Sequence, residues 1–373
     1  MMRFDDNKRR GHALKHSIKA HCTMILLLCL CVVPTAVAIL QPSIRTVTAG
    51  PLQISSLGCG TWSWGNRFLW GYNPDQDEEL YQSYKVVRDA GVSLFDTADS
   101  YGTLDLNGRS EILLGEFERR YLKERSWLAP PSRPQQVATK LAPYPWRITA
   151  QSFVNAAEAS LGRLQQDRLA ICQVHWSTAN YQPLQERALW DGLRQIYEKD
   201  LCHAVGVSNY GPRQLQKIVN ALEGVPLATA QIQYSLLTYQ TARYMNGICD
   251  ELGIRVIAYS PLCLGLLTCR YNLDNLPPFP RQQLFRELLP SAQGLLSTLE
   301  AVADEYQKTP AQIAINWALC KGTVPIPGCR TVSQAKSTIE ATQFRLKQDA
   351  VEELDRMALS VKKPMVQNVF QTQ

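Results

Sequence analysis

Phe95-Asp96-Thr97-Ala98-Asp99-Ser100-Tyr101-Gly102 sets a carboxylate and a phenol five residues apart, where the apolar run Val92, Leu94, Phe95 gives way to a polar loop. A buried strand that ends this way at a rim fixes Asp96 through the sheet and lets the loop carry Tyr101 over the same cavity. Alone, an aspartate after an apolar run also reads as a helix cap. Neighbouring strand ends weigh in the choice: Val137-Ala138-Thr139 runs into Lys140, and residues 169–174 run into His175.

Outward from this stretch, short apolar runs alternate with amphipathic helical patterns from about residue 44 onward. Residues 53–60, 92–95, 137–139, 169–174, 204–207, 228–233, 255–258 and 324–326 read as buried strands. Between them Leu80, Tyr84 and Val87 line one helical face, and Ala157, Leu161 and Leu164 another. Leu215, Ile218, Val219 and Leu222 follow Pro212, while Ile313, Trp317 and Cys320 follow Thr309-Pro310, both arrangements that suit a first helical turn. Strand alternating with helix specifies a parallel sheet covered by helices. Eight such strands favour closure into a (β/α)₈ TIM barrel, an α/β fold. No Gly-x-Gly-x-x-Gly opens a helix after the first strand; Gly58-x-Gly60 lacks the third glycine, which disfavours a doubly wound dinucleotide domain. Residues 44–54, with Gly50-Pro51 between two β-like runs, are expected to form a hairpin closing the barrel's bottom. Residues 265–290, carrying Pro277, Pro278, Pro280 and Pro290, read as a long loop at the C-terminal rim. Residues 347–359 read as an extra C-terminal helix followed by an extended tail.

The 373 residues carry a formal charge of +6, but residues 1–23 hold six cations against two acids, so the remainder carries only +2. That excess is too small to draw in a polyanion, and no nucleic-acid partner is expected. The basic start precedes residues 24–40, which contain no charge, a breaker at Pro34 and small residues at Ala36 and Ala38. Together they read as a cleavable targeting leader over residues 1–40, ahead of one domain over 44–373. A membrane anchor is the alternative, although the run is short for a span. Residues 41–48 are basic and lack acids, which suits import into a plastid, with the secretory pathway as the other destination. No stable anchor is expected after cleavage, and the chain is expected to be a monomer. Of eleven cysteines, the eight outside the leader have no Cys-x-x-Cys pair, and no metal site is read from them or from His175 and His203.

Asp96, Tyr101, Lys140 and His175 sit at neighbouring strand ends, so a barrel lets them converge. A phenol with a pKa of about 10 needs a nearby ammonium to act near neutrality. Asp96 would keep Lys140 charged in a partly dry cavity, and a neutral His175 could orient a carbonyl oxygen against Tyr101. Each residue also has a plainer reading: Asp96–Lys140 as a structural ion pair, Tyr101 as a loop aromatic, His175 as a satisfied core histidine.

Phe-Asp-Thr-Ala-x-x-Tyr101-Gly followed by Asn107-Gly-Arg-Ser-Glu111-x-Leu-Leu-Gly115 resembles the first signature of the aldo-keto reductase superfamily. Ala-Thr-Lys140, Val-His175-Trp176, Gly206-Val-Ser208-Asn209, Gln231, Ala-Tyr259-Ser260-Pro261-Leu262 and Ile326-Pro327-Gly328 are similar to its later blocks, in order. The pattern is most similar to the plant and algal plastid-type branch, the pyridoxal-reductase-like proteins, over residues 44–345. The resemblance implies reduction of a small-molecule aldehyde or ketone by NADPH, with Tyr101 as proton donor tuned by Lys140 and Asp96, and His175 orienting the substrate. It implies that Ser208, Asn209 and Gln231 hold the nicotinamide carboxamide and that Tyr259 stacks on the ring. Ser260, Pro261 and Leu262 would follow the pyrophosphate, and Gly60, Thr61 and Trp62 would approach the ribose side. Gly328, Arg330, Gln334 and Thr338 would take the adenosine phosphate, with Arg330 on the 2′-phosphate (NADPH over NADH). Many relatives have arginine where Gln334 stands and asparagine where Thr338 stands, and His-Trp-Ser177 replaces a commoner His-Trp-Pro. Two alternatives accompany this reading: an NADPH-binding redox-sensing subunit resembling potassium-channel β subunits, and a sugar or polyol dehydrogenase. Trp62, Trp64, Trp70 and Trp176 near the rim suggest a flat or apolar substrate portion, or else barrel packing.

Overall fold

Gly50 and Pro51 turn the chain between β1 (Thr46–Ala49) and β2 (Leu52–Ser55), an antiparallel hairpin. Gly50 has φ +54°, and a Cβ there would lie 2.8 Å from Ala228 Cβ, so the turn needs glycine both for its backbone and for its close seat on the barrel. The structure is a computed structural model that describes residues 44–125, 133–365, 368 and 370–372. The leader expected over residues 1–40 lies outside the described residues.

Eight parallel strands follow: β3 (Cys59–Gly60), β4 (Leu94–Asp96), β5 (Gln136–Leu141), β6 (Leu169–Val174), β7 (Cys202–Ser208), β8 (Leu227–Gln233), β9 (Arg255–Tyr259) and β10 (Val324–Pro325). Each pairs with its sequence neighbour. The sheet closes on itself where Gly58 N donates to Pro325 O at 3.0 Å and Gly60 N donates to Pro327 O at 3.1 Å. This is the expected (β/α)₈ barrel. Alternation along the strands divides the core in two. Leu94, Ala138, Ile171, Ala204, Ala228 and Ile257 fill the interior together with Ala49 and Ile54 of the hairpin. Phe95, Val137, Cys172, Val205 and Val256 point outward to the helices. The strands are therefore buried on both faces, which is why they read as apolar runs.

The long helices are α1 (Asp77–Asp89), α2 (Arg109–Glu124), α3 (Ala150–Leu164), α4 (Pro183–Glu198), α5 (Pro212–Ala221), α6 (Tyr239–Glu251), α7 (Arg281–Tyr306), α8 (Pro310–Cys320), α9 (Val332–Glu340) and α10 (Gln348–Ser360). Asp355 on α10 accepts from Trp317 Nε1 at 2.7 Å and Tyr239 OH at 3.1 Å and pairs with Lys321 at 2.7 Å, so the extra helix is fastened to α6 and α8.

Two expectations are corrected. The run 53–60 is not one strand: Ser56 and Leu57 turn the chain from β2 into β3, because Ser55 Oγ donates to Leu57 O and accepts from Ser93 N and Leu94 N. Residues 265–290 are not one long loop either, since α7 begins at Arg281 and carries Pro290 inside it. A proline inside a helix costs about 3 kcal/mol. Phe285, Leu288, Leu289, Ala292, Leu295, Leu296 and Leu299 all become buried along α7, and each large apolar side chain returns about 1.5–3 kcal/mol.

Candidate active site

β4 ends on Asp96, whose carboxylate meets Lys140 Nζ at 2.7 and 2.6 Å; the ammonium also donates to Thr97 O at 2.8 Å. Both side chains are almost wholly enclosed. Burial pushes the Asp96 carboxyl up and the Lys140 ammonium down, each opposed by the other's charge. Lys140 Nζ lies 4.9 Å from the centre of the Tyr101 ring, and the Tyr101 and His175 rings are 5.7 Å apart, edge to face. Ser100 Oγ and His175 Nδ1 are 3.2 Å apart. The four side chains expected at successive strand ends thus converge.

The loop that carries Tyr101 is stitched to the end of β5. Thr97 N donates to Ala138 O, Lys140 N to Thr97 O and Asp99 N to Lys140 O. The buried Asp99 carboxylate accepts from Ala142 N at 3.0 Å and is paired with Arg147. Beneath it, Glu111 on α2 is paired with Arg163 and accepts from Thr139 on β5.

Burial raises the Tyr101 phenol well above its ordinary value, and the charge of Asp96 and then Tyr259 add to the effect. Desolvation of the phenolate outweighs any lowering by the nearby Lys140 charge. Tyr101 is consequently held as a neutral phenol. Burial, with Lys140 second, holds His175 well below its ordinary 6.5, so the imidazole is neutral.

Asp96 and Tyr101 open onto a cleft of about 640 Å³. Among the expected cofactor residues, Gly60, Trp62, Tyr259, Ser260, Pro261, Leu262, Gly328, Arg330, Gln334 and Thr338 line it. Thr61 does not: its hydroxyl donates to Asp96 O at 2.8 Å and meets Ser110 Oγ at 2.6 Å, tying β3 to β4 and α2. Ser208, Asn209 and Gln231 form a shell against the lining residues. Gln231 Nε2 donates to Asp96 Oδ1 at 2.6 Å, Asn209 Oδ1 accepts from Tyr259 OH at 2.8 Å, and Asn209 Nδ2 donates to Ser208 Oγ at 3.2 Å. Gln334 Oε1 accepts from Arg330 N at 2.9 Å, which fixes the turn into α9.

Trp64 is not a rim residue. It is fully enclosed between barrel and helices, against Tyr84 and Phe117. Trp176 does face the rim, stacked on Phe370 at 4.5 Å and donating to Tyr181 OH at 2.8 Å. Ser63, Arg270, Tyr271 and Arg281 also line the cleft. Motif reasoning passed over them because they lie between the matching blocks; the arginines flanking Pro277, Pro278 and Pro280 were the available signal.

The Aldo/keto reductase family model matches residues 56–358. The chain belongs to that family of oxidoreductases. It is 52% identical over 331 residues to the chloroplastic pyridoxal reductase of Arabidopsis thaliana, covering 88% of this chain and 90% of the relative. It is 33% identical over 305 residues to an uncharacterized oxidoreductase of Mycobacterium tuberculosis strain H37Rv, covering 79% of this chain and 86% of the relative. The fold matches that of the Gluconobacter oxydans glycerol dehydrogenase with TM-score 0.69 and 22% identity, over 90% of this chain and all of the other. It also matches a Bombyx mori aldo-keto reductase solved in complex with NADP, with TM-score 0.65 and 20% identity, over 87% of this chain and 96% of the other.

Proposed function

We propose that the protein reduces an aldehyde or ketone to the alcohol with NADPH, and that Tyr101 donates the proton. The observation that carries the reading is the convergence of a neutral phenol, a neutral imidazole and an enclosed carboxylate–ammonium pair, with Tyr101 and Asp96 lining one cleft. The cleft suits a dinucleotide. Its lining offers arginines at Arg270, Arg281 and Arg330, the hydroxyls of Ser260, Ser333 and Thr338, and one carboxylate, Asp96, already paired with Lys140. When bound, the nicotinamide would supply the hydride.

The chain's own residues do the rest. Ser208, Asn209 and Gln231 would hold the carboxamide, Tyr259 would lie against the ring, and Ser260–Leu262 would follow the pyrophosphate. With Ser100 on Nδ1, the other ring nitrogen of neutral His175 is left to orient the carbonyl oxygen. Tyr101 gives that oxygen its proton as negative charge develops there, a contribution of about 10²–10⁴-fold. The ammonium 4.9 Å from the phenol ring then stabilises the phenolate left behind. Asp96 keeps that ammonium in place.

The stacked Trp176–Phe370 pair beside His175 favours a flat aromatic carbonyl compound. The relative named pyridoxal reductase points the same way, and pyridoxal is the first substrate to test. We expect pyridoxal-dependent NADPH oxidation, with small reactive aldehydes as comparison. Tyr101→Phe should lower turnover by about 10²–10⁴-fold while NADPH still binds. Activity retained in that variant, or no NADPH consumption across the aldehyde panel, would overturn the reading. The chloroplastic relative and the basic, acid-free residues 41–48 favour a plastid destination. Fusing residues 1–43 to a fluorescent protein tests it.

A further inference from the structure

Ser100 Oγ and His175 Nδ1 are 3.2 Å apart, and a hydrogen bond between a hydroxyl and an imidazole nitrogen can run either way. If Nδ1 carries the proton it donates to the serine, and Nε2 is left as a bare acceptor. If the serine donates, the single proton of the neutral ring sits on Nε2. Packing fixes which nitrogen meets the serine. The imidazole lies 4.9 Å from the Trp176 ring and 5.7 Å from that of Tyr101. Its backbone is tied on both sides: His175 N donates to Leu141 O at 3.0 Å, and Asn209 Nδ2 donates to His175 O at 3.1 Å.

The direction is decided on the far side of Ser100. Tyr144, in the connection after β5, is held by Gln185 Nε2, which donates to Tyr144 O at 2.8 Å, and by stacking on Trp146 at 4.7 Å. The side chains of Asn107 and Ser100 both reach its phenol. Burial, with the charge of Asp99 second, raises that phenol above its ordinary value, so it keeps its hydrogen. A phenol is a stronger donor than an alkyl hydroxyl, and an imidazole nitrogen is a stronger acceptor than either oxygen. The hydrogens therefore align: the amide of Asn107 donates to the Tyr144 oxygen, Tyr144 OH donates to Ser100 Oγ, and Ser100 donates to Nδ1. Hydrogen bonds arranged head to tail in this way strengthen one another.

We propose that Ser100 and Tyr144 are positioning residues that fix His175 as the Nε2–H tautomer, the form that presents a donor to a carbonyl oxygen. Neither is specified by the motifs of the family. Ser100 occupies an open place in Phe-Asp-Thr-Ala-x-x-Tyr101-Gly, and Tyr144 lies between Ala-Thr-Lys140 and Val-His175-Trp176. The tautomer is a property of the free protein, whereas its effect on turnover rests on the carbonyl-reduction reading.

Long-range proton–nitrogen correlation NMR of the full chain reads the tautomer, with the His175 signals identified by their loss in His175→Gln. Wild type should show His175 protonated at Nε2. Ser100→Ala and Tyr144→Phe should lose that single form, and Ser100→Thr, which restores the hydroxyl, should keep it. In the same proteins kcat for an aldehyde should fall about tenfold in Ser100→Ala and about threefold in Tyr144→Phe, with NADPH affinity unchanged, while Ser100→Thr stays within about twofold of wild type. A wild-type His175 protonated at Nδ1, or a tautomer indifferent to Ser100→Ala, would overturn the assignment. Tyr144→Phe behaving as wild type would break the chain at that residue and overturn its role. A shifted tautomer with kcat unmoved would overturn the positioning role of both. A wild type that shows the Ser100-dependent Nε2–H form but consumes no NADPH with any aldehyde would keep the hydrogen-bond chain and overturn the carbonyl-reduction reading.

Discussion

Asp99 lies between Asp96 and Tyr101 and touches neither reacting group in the proposed chemistry, yet its N–H and its carboxylate hold the loop that carries the phenol. Its N–H reaches Lys140 O at 3.0 Å and its carboxylate takes Ala142 N and Arg147. Asp99→Asn should therefore act through position: kcat falls by about 10–10²-fold, the cost of a misplacement near 1 Å, while NADPH affinity is unchanged. Steady-state kinetics and a cofactor titration check both halves. His175 carries a stability consequence. Its folded pKa lies well below 6.5, so between the two values the unfolded chain binds a proton that the folded chain refuses. The stabilisation is complete above about 6.5 and is lost as pH falls from there toward the folded pKa, by up to about 1.4 kcal/mol per pH unit. Urea unfolding at several values between pH 7.5 and 5 should show a shallower acid loss in His175→Gln than in wild type. Asp96, Lys140 and His175 were legible in the sequence because each ends an apolar run that reads as a buried strand, and Tyr101 because only a short polar loop separates it from Asp96. Thr61 and Trp64 were not, because adjacency to a rim does not say whether a side chain turns toward the cleft or away from it.

At the scale of elements, periodicity located the helices and strands, while local chemistry decided where they end. The α3 start is a reciprocal cap: Thr149 Oγ1 accepts from Ser152 N at 3.2 Å and Ser152 Oγ accepts from Thr149 N at 3.4 Å. Thr149→Ala should cost about 1 kcal/mol in urea unfolding without altering activity, since α3 packs on the barrel's outside. Gly102 is less forgiving. It has φ +131°, and a Cβ there would lie 1.8 Å from Leu106 O, against backbone that cannot give way. Gly102→Ala should displace the loop holding Tyr101 and abolish turnover, with a far-ultraviolet spectrum still that of the folded barrel. The misread run 53–60 and the misread Pro290 share a cause. Apolar continuity cannot reveal that Ser55 hydrogen-bonds the chain out of line, and a proline looks like a terminator until the burial along α7 is counted.

In the whole molecule, closure of the barrel was legible because eight alternations leave few other arrangements, whereas the return of the C-terminal tail to the rim was not. The tail has no periodicity, and its contacts are single and long-range. Met365 N donates to Leu237 O at 3.0 Å, Thr372 N donates to Asn209 O at 3.1 Å, Thr372 Oγ1 accepts from Gly211 N at 2.9 Å, and Phe370 covers Trp176. These contacts fall on the His175 and Asn209 side of the site, and none of the described tail residues lines the cleft near Arg330. Removing the chain after Pro364 should therefore separate the two ends of the pocket. KM for an aromatic aldehyde rises about tenfold as the stacked face of Trp176 is lost, a cost of about 1.4 kcal/mol in the range of one aromatic pair, while 2′,5′-ADP binds as before. The two titrations on the truncated protein decide the matter: a parallel loss of nucleotide affinity would mean that the tail braces the barrel as a whole rather than walling the substrate.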